Sequence, residues 1–438
     1  MVKNNKLFPG LIMVVIMLSA CKASISSTPT FTVVPITPMV EIPTELPLVM
    51  STATSPATET LTPAPPTETP FPTVDETGPV RAIILFIGDG MGTNQRLGAQ
   101  WLIYGQEGAL AMDSMPVRGS AQTASANSPV TDSAASGTAM ATGVKTNNRI
   151  IGMDAEYNLV ENILEQAQAQ GWAVGVVTTV QMANATPAAF AAHVRDRDYL
   201  TEIAQQIMEH DIDVLLGGGE DDFLPTSVEG CYPSKGNRGD GLNLIEEAVV
   251  DEYIYVCTAE ELLAVETNST SKLIGFFGDE EIGQPNSPTL TDLTRVAIEN
   301  LSQDPDGFFL LVEGGQIDWE GHDNDAAEIM QLTLGLDLAV IEAQLYAVGE
   351  PNTLIIVAAD HETGGMRLNL DCKGSFREDG PFVMPDGTQF CVDWWTTSHT
   401  AEDVLVTAQG PYSDLLAGEY PNTWIYQVMF IALGEPEG

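Results

Sequence analysis

Seven apolar runs recur along the chain from residue 81 onward. Each is nearly continuous in apolar residues, which is typical of strands buried on both faces of a mainly parallel sheet. The runs are RAIILFIG (81–88), WAVGVVTT (172–179), DVLLGG (213–218), LIGFFG (273–278), GFFLLVEGG (307–315), TLIIVAAD (353–360) and DVLVTAQG (403–410). Helical patterns lie between or after them, at 159–169, 200–208, 288–302, 324–348 and 424–433. This alternation predicts an α/β fold, a three-layer α/β/α sandwich around a mainly parallel sheet.

The first 78 residues have a different pattern. Lys3 and Lys6 precede an apolar run at 7–18 that is too short to span a bilayer as a helix, and LSAC follows at 18–21. This ending resembles a bacterial lipobox and predicts a lipoprotein signal peptide at 1–20, cleaved before a lipidated Cys21. An ordinary secretory signal with a chance cysteine is the alternative. Either way, we expect an exported protein, and the lipobox predicts anchoring to the bacterial cell membrane through Cys21 with the folded domain extracytoplasmic.

The segment that follows the signal is rich in Thr, Pro and Ser from residue 21 to 78. Such a composition cannot bury a hydrophobic core, and its prolines favour extended conformations. We therefore predict a disordered linker at 21–78 that holds a folded domain, residues 79–438, away from the membrane surface.

The charge of the chain restricts its partners. It carries 61 acidic and 17 basic residues among 438, a formal net charge of −44. Binding to a nucleic acid backbone requires a basic face, so nucleic acid recognition is not expected. An anionic substrate would have to be held by local positive charge, and bound metal ions are one source of it.

The remaining cysteines agree with export. Removing Cys21 leaves Cys231, Cys257, Cys372 and Cys391. Four cysteines allow three connectivities, and sequence proximity favours Cys231–Cys257 and Cys372–Cys391 disulfides. A zinc site of four thiolates is less favoured because no pair has short ligand spacing.

Potential metal ligands follow the predicted strands, where an open α/β sheet binds its ligands. They are Asp89, Thr186, Glu313, Asp318, Asp360 and His361. Asp318 and His322 are four residues apart and would share one face of a helical turn, and His399 is a further candidate. Mixed sites of imidazole and carboxylate suit zinc.

Ser133 lies where a helix of small residues is expected to begin, in TDSAASGTA at 131–139. A serine at that position meets the positive end of the helix dipole, which favours an alkoxide and a phosphate. Serine and aspartate are also the commonest helix caps, so a purely structural role is the alternative.

Six motifs occur in order along the folded domain: IGDGMG (87–92), TDSAASGTAMATGVKT (131–146), ATPAAFAAHVRDR (185–197), VEGGQIDWEGH (312–322), ADHETGG (359–365) and SHTAEDV (398–404). Together they resemble the successive motifs of the alkaline phosphatases. The resemblance implies a catalytic domain at 79–438 that hydrolyses small phosphate monoesters through a phosphoserine at Ser133, with two zinc ions and one magnesium ion. The family commonly dimerises, which makes a homodimer an expectation.

The resemblance also implies individual roles. The implied ligands are Asp318, His322 and His399 for the first zinc, Asp360, His361 and Asp89 for the second, and Asp89, Thr186 and Glu313 for magnesium. Arg197 matches the arginine that holds two phosphate oxygens. Asn184 and Trp319, both expected near the phosphate, depart from the family pattern, in which Asp or His and Lys or His are usual. These departures leave the identity of the third metal and the phosphate affinity open.

Other conspicuous residues have plainer interpretations. His193 and His210 favour packing or surface roles. Glu220–Asp222 and Asp323–Asp325 lack the spacing of a calcium loop, so a solvated acidic face is expected at both.

Three rival functions remain. A sulfatase needs a C/S-x-P-x-R context that TDSAASG lacks, and a phosphodiesterase should lack Arg197, Thr186 and Glu313, which are all present. From another class, a surface lipoprotein that binds metal or phosphate without catalysis is the alternative.

Overall fold

A computed structural model describes residues 79–267, 271–283, 287–374 and 378–434. The predicted signal peptide, Cys21 and the linker lie outside the described residues.

The described chain alternates strands and helices. The strands are β1 Ala82–Gly88, β2 Val117–Gln122, β3 Ala173–Gln181, β4 Val214–Gly218, β5 Ile254–Val256, β6 Leu273–Phe276, β7 Phe308–Gly314, β8 Thr353–Ala359, β9 Glu362–Thr363, β10 Arg367–Asn369, β11 Glu378–Val383, β12 Gln389–Asp393, β13 His399–Thr400, β14 Val404–Gln409 and β15 Gly418–Pro421. The helices are α1 Thr93–Tyr104, α2 Ser133–Thr142, α3 Ile163–Ala169, α4 Ala185–Ala189, α5 Leu200–Glu209, α6 Leu244–Val250, α7 Ala259–Leu263, α8 Leu290–Leu301, α9 Gln316–Asp323, α10 Ala326–Gly349 and α11 Thr423–Leu433. All seven predicted strands and all five predicted helices are present, with bounds shifted by a few residues.

Ten strands form one sheet in the order β15-β2-β14-β8-β1-β7-β3-β4-β6-β5. Every pairing in it is parallel except those of β14 with β8 and β2. Helices α1, α8, α9 and α10 pack with one another on one side, and α2, α3, α4 and α11 pack together as a second group. Strand β1 contacts both α10 and α11, so the sheet lies between two helical layers. The predicted three-layer sandwich is confirmed.

The core follows from the apolar runs, because β1, β7 and β8 are buried along their whole length. By length and composition alone, α10 is the one described helix that could cross a membrane. Its inner side, however, packs against α1, α8 and the strands β1 and β7, as a long core helix does. Both predicted disulfides, Cys231–Cys257 and Cys372–Cys391, are present.

One interpretation was wrong. Glu220 and Asp222, expected on a solvated acidic face, are each 1% exposed. Glu220 accepts hydrogen bonds from the backbone N–H groups of Cys231 (2.9 Å) and Tyr232 (3.1 Å). The loop that the Cys231 disulfide ties down therefore covers the acidic turn, and sequence spacing does not show this.

A buried ion pair joins α1 to the rest of the domain. Arg96, 1% exposed, donates to Asp113 Oδ1 at 2.6 Å and to Thr407 Oγ1 at 3.0 Å.

We predict that Asp113→Ala lowers the free energy of unfolding by about 3 kcal/mol, because it leaves a buried guanidinium without its carboxylate. Urea denaturation measures the change. Glu299→Ala, which removes a solvent-exposed partner of Arg295, is the control and should cost less than about 0.5 kcal/mol. Equal losses in the two variants would contradict the prediction.

Candidate active site

Four adjacent strands of the sheet, in the order β8-β1-β7-β3, deliver most of the predicted ligands. Asp89 directly follows β1, Glu313 lies near the end of β7, and Asp360 and His361 follow β8. Thr186 lies in α4, just beyond β3. These strands run parallel, so their carboxyl ends meet at one edge of the sheet, and the side chains gather there as the sequence predicted.

Asp318, His322 and His399 also come together. Helix α9 carries the first two on one face, and β13, paired with β9, brings in His399. His322 Nε2 lies 3.3 Å from Asp318 Oδ2, and His399 Nε2 lies 3.5 Å from Asp318 Oδ1. The two Nε2 atoms are 3.2 Å apart. The first predicted ligand set is thus assembled on three mutual contacts.

Backbone carbonyls orient the two imidazoles of this set. His322 Nδ1 donates to Thr397 O at 2.7 Å, and His399 Nδ1 donates to Thr131 O at 3.0 Å. Since a carbonyl only accepts, each Nδ1 carries a proton and each Nε2 points at the other ligands. The hydrogen bond with Asp318 raises the pKa of His322 to about 9. The space between the rings therefore favours a cation, either a proton or a metal ion.

The second predicted set surrounds Ser133. His361 Nε2 lies 3.1 Å from Asp360 Oδ2, 3.5 Å from Asp89 Oδ1 and 3.2 Å from Ser133 Oγ. All four residues are buried. Burial lowers the pKa of His361 to about 4, so its ring is neutral at pH 7 and can act as a ligand.

Ser133 is the first residue of α2, and Asp132 caps this helix by accepting from Ala135 N at 3.0 Å. All ten residues of α2 are buried. Small side chains allow the burial: a Cβ added to Gly137 would lie 3.0 Å from Ala189 Cβ in α4. The cap alternative for Ser133 is wrong, since Asp132 is the cap and the serine hydroxyl is directed at His361.

Four buried oxygen atoms at this edge have no hydrogen-bond partner among the described residues. They are Asp89 Oδ1, Thr186 Oγ1, Glu313 Oε1 and Asp360 Oδ2. Leaving buried polar oxygens unsatisfied is costly, and each of these belongs to a predicted metal ligand. Carboxylate, hydroxyl and imidazole donors in this arrangement fit divalent metal ions.

Acidic side chains repel one another at the same edge. Burial, followed by the charge of Asp360, raises the pKa of Asp89 well above its usual value. Burial also raises the pKa of Glu313 to about 7. Burial would do the same to Asp318, but the hydrogen bond with His322 and the neighbouring imidazoles hold its pKa well below the usual range. The edge therefore requires positive charge that its own side chains do not supply.

Arg197 is positioned by two side chains. Its Nη1 lies 3.4 Å from Asp132 Oδ2, and its Nη2 donates to Asn184 Oδ1 at 3.2 Å. Asn184 also caps α4 and donates to Gln181 Oε1 at 3.1 Å. Asn184 thus contacts the arginine, while Trp319 is half-buried on α9 beside Asp318. Direct contact of either residue with a phosphate stays a prediction.

Several side chains that support the site are not predicted from the sequence. Thr178 donates to Glu313 Oε2, Thr363 donates to Asp318 Oδ1, and Ser136 donates to Asp360 O at 2.7 Å. Asp132 was considered only as part of a motif. Thr178 and Ser136 are polar side chains inside an apolar or small-residue run, which marks the position but not its partner.

Comparisons with known proteins agree with this geometry. Residues 80–377 match the sequence model of the family described as alkaline phosphatase. Alkaline phosphatase 3 of Bacillus subtilis is 31% identical over 430 residues, covering 81% of this chain and 89% of the relative. The structure of alkaline phosphatase from the Antarctic bacterium TAB5 is 30% identical with a TM-score of 0.69, covering 81% of this chain and 99% of that one. A variant of the TAB5 enzyme, 28% identical with a TM-score of 0.68 and covering 81% of this chain and 98% of that one, is described with magnesium bound. This chain therefore belongs to the alkaline phosphatase family of phosphate monoester hydrolases.

Proposed function

We propose that this chain hydrolyses small phosphate monoesters through a phosphoserine intermediate on Ser133, with two zinc ions and one magnesium ion in the site. The observation that carries the proposal is the position of Ser133 Oγ, 3.2 Å from His361 Nε2 at the start of α2. The serine hydroxyl thus lies beside buried carboxylates that carry unpaired oxygen atoms and a raised pKa at Asp89, which supports its assignment as a nucleophile next to bound cations.

The residues that would hold the ions are Asp318, His322 and His399 for the first zinc, Asp89, Asp360 and His361 for the second, and Asp89, Thr186 and Glu313 for magnesium. When bound, the ions supply positive charge that offsets the repulsion between the serine alkoxide and the phosphate dianion, and they lower the pKa of coordinated hydroxyl groups. The TAB5 variant that binds magnesium supports the choice of metal for the third site.

The chain's own residues then direct the chemistry. Ser133 Oγ forms a bond to phosphorus, and the bond from phosphorus to the leaving alcohol oxygen breaks. The amino end of α2 favours the negative charge on Oγ and on the attached phosphate. Water then displaces Ser133 Oγ and releases inorganic phosphate. Two in-line displacements predict retention of configuration at phosphorus.

Arg197 holds the phosphate through both steps. Its planar fork can donate to two phosphate oxygens, and Asp132 and Asn184 fix its orientation. Asn184 is neutral where Asp or His is usual in the family, so its contact with Arg197 is a hydrogen bond without an ion pair. We propose that Trp319 lies beside the bound phosphate. Because Trp319 and Asn184 stand where charged residues are usual in the family, we propose that the phosphate product is held less tightly.

Replacing the nucleophile tests the mechanism. Ser133→Ala should lower the turnover of p-nitrophenyl phosphate by roughly a thousandfold or more and abolish a trapped phosphoenzyme, while its metal content stays unchanged. Ser114→Ala, which changes an exposed serine outside the predicted ligand sets, is the matched control and should keep full turnover.

Wild-type turnover in Ser133→Ala would contradict the assignment of Ser133 as the nucleophile. Assaying the corresponding diester beside the monoester, with and without chelator, separates the alternatives. A phosphodiesterase prefers the diester, and a binding lipoprotein hydrolyses neither substrate.

Metal removal should make stability dependent on pH. The pKa of Glu313 is about 7 in the metal-free fold, whereas that of an unfolded glutamate is about 4.3. The raised folded pKa means that this stabilising contribution is complete below about pH 4 and is lost as the pH rises through about 7. The pKa of Asp89 is shifted in the same direction. Urea midpoints of the chelated protein should fall between about pH 5 and pH 8, and less so in chelated Glu313→Gln. Identical pH profiles for the two proteins would contradict this reasoning.

We propose export and anchoring through Cys21 as the location of the enzyme. The lipobox at 18–21 supports a lipid anchor, and the Cys231–Cys257 and Cys372–Cys391 disulfides support an oxidising compartment.

We also propose that two copies pair through the outer side of α10. Side chains on this side recur at alternating spacings of four and three residues: Ala327, Gln331, Leu334, Leu338, Ile341, Leu345 and Val348. Leu338, Leu345 and Val348 are 54%, 62% and 84% exposed. The spacing is that of a coiled-coil seam. An antiparallel second copy centred on Leu338 sets Leu338 opposite itself and Gln331 opposite Leu345, as a twofold interface requires.

Gly335 supports an interface on α10, because a Cβ built there meets nothing within 4 Å, which leaves room for a neighbouring helix.

We predict a concentration-dependent dimer in sedimentation equilibrium that Leu338→Glu dissociates, with p-nitrophenyl phosphate turnover retained. Leu263→Glu, which charges an exposed leucine at the end of α7, is the control and should leave the dimer intact. A wild-type chain that is monomeric at all concentrations, or a dimer that survives Leu338→Glu, would refute the α10 interface.

A further inference from the structure

Two of the five histidines lie outside the catalytic ligand sets and face one carboxylate. His193 Nε2 lies 3.0 Å from Glu165 Oε1, and His210 Nε2 lies 3.8 Å from the same oxygen. The three ligand atoms are all within 4.8 Å of one another. The side chains are only 13%, 22% and 20% exposed for His193, His210 and Glu165, and a surface cavity of about 340 Å³ is lined in part by the two histidines.

His193 is oriented in the same way as His322 and His399. Its Nδ1 donates to Gly152 O at 2.6 Å, which directs Nε2 at Glu165. Residue 152 must be glycine for this approach, because its φ is +63° and a Cβ would lie 2.6 Å from His193 Nδ1. A backbone carbonyl that accepts from the second ring nitrogen is the usual support of a metal-bound histidine. His322 and His399 have the same support in the first zinc set.

The other two groups are also held in place. Glu165 Oε2 accepts from Asn162 N at 2.7 Å in the cap of α3, which leaves Oε1 for the histidines. The backbone of His210 is fixed by Gln168, whose Nε2 donates to His210 O at 2.7 Å. The three ligand atoms are thus presented by fixed side chains and a fixed backbone rather than by mobile surface groups.

The spacing of the ligand atoms fits a tetrahedral ion. Bonds of about 2.0–2.1 Å to zinc place neighbouring ligand atoms about 3.3 Å apart. The separations of 3.0 and 3.8 Å at Glu165 fall on either side of this value. In the catalytic sets the corresponding separations run from 3.1 to 3.5 Å. Two imidazoles and one carboxylate are a donor set that zinc and its neighbours in the first transition row prefer.

We propose that Glu165, His193 and His210 bind a further divalent transition-metal ion, of the zinc class, separate from the catalytic cluster. The ion would connect three parts of the fold: Glu165 in α3, His210 directly after α5, and His193 in the loop that also carries Arg197. Arg197 lies four residues beyond His193. Val194 in this loop also pairs with Ile151, next to Gly152. The role of the site is structural, since it joins elements that flank the phosphate arginine without supplying a group to the reaction.

The competing account is an ion pair between Glu165 and a protonated His193, with His210 a bystander. The two accounts differ in stoichiometry. In the ion-pair account, the chain loses no bound metal when His210 is replaced. In the metal account, it loses one ion.

The experiment counts zinc in the full-length enzyme after dialysis against micromolar zinc. His210→Ala and Glu165→Gln should each hold one zinc ion fewer per chain than the wild type. Glutamine at 165 keeps the cap acceptor for Asn162 N, so α3 stays capped. Glu202→Gln, which removes an exposed carboxylate from the first turn of α5, is the control for general attraction of cations to an acidic protein and should keep the full count. Turnover of p-nitrophenyl phosphate in the His210→Ala enzyme should stay within about twofold of the wild type.

Cobalt gives a second readout. Added to the zinc-loaded wild type, Co²⁺ should exchange into this site as well as any other exchangeable one, so the wild type should show more visible absorption from tetrahedral cobalt than His210→Ala. Equal zinc counts in the wild type, His210→Ala and Glu165→Gln would overturn the proposal in favour of the ion pair. The test compares the zinc count of each variant with that of the wild type, so it does not depend on how many ions the catalytic site holds. If His210→Ala loses all its metal, the zinc count of Glu165→Gln alone distinguishes the metal site from the ion pair.

Discussion

Carboxylates buried at the carboxyl edge of parallel strands repel one another, and most of the site is arranged around that repulsion. Asp89 and Glu313 have raised pKa values because burial disfavours their charge. The chain has a net charge of −44, and Arg197, whose charge acts on Glu313, is already shared with Asp132. No described side chain therefore neutralises Asp89 and Asp360, and divalent ions are the remaining source of positive charge. A buried acidic edge of this kind is costly for a metal-free fold and suited to a metal-dependent one.

The scaffold tolerates this arrangement because its central strands are fixed on both sides. Strand β1 is paired in register with β7 and β8 from Ala82 to Gly88, which sets Asp89 beside the ends of both neighbours. Gly90, at φ +68°, lets the chain turn immediately after Asp89, where a Cβ would meet Asp318 Oδ1 at 2.9 Å. The small residues of α2 bring the Ser133 end of the helix to the same edge. Catalytic geometry is thus a consequence of strand register and close helix packing.

The sequence predicts those parts of the structure that depend on local pattern. The seven buried runs identify the central strands, because burial on both faces makes them continuously apolar. Strand β2, VRGSAQ, is mostly half-exposed and shows no such run, so it was missed. Metal ligands were found because motifs and strand ends mark them. Thr363 and Asp132 were missed because their roles depend on contacts with Asp318 and Arg197, residues 45 and 65 positions away.

The cluster of Glu165, His193 and His210 resembles the first zinc set in the orientation of its imidazole rings rather than in its sequence spacing. His322, His399 and His193 each donate Nδ1–H to a backbone carbonyl, and each directs Nε2 at a carboxylate. The carbonyl fixes the tautomer, so Nε2 can approach the carboxylate oxygen only with a proton or a metal ion between them. At His322 two further ligands complete a set; at His193 the second imidazole is 17 residues along the chain, in no recognisable motif. The same physical criterion that explains His322 and His399 therefore selects the Glu165 cluster, of which only His193 lies in one of the six motifs.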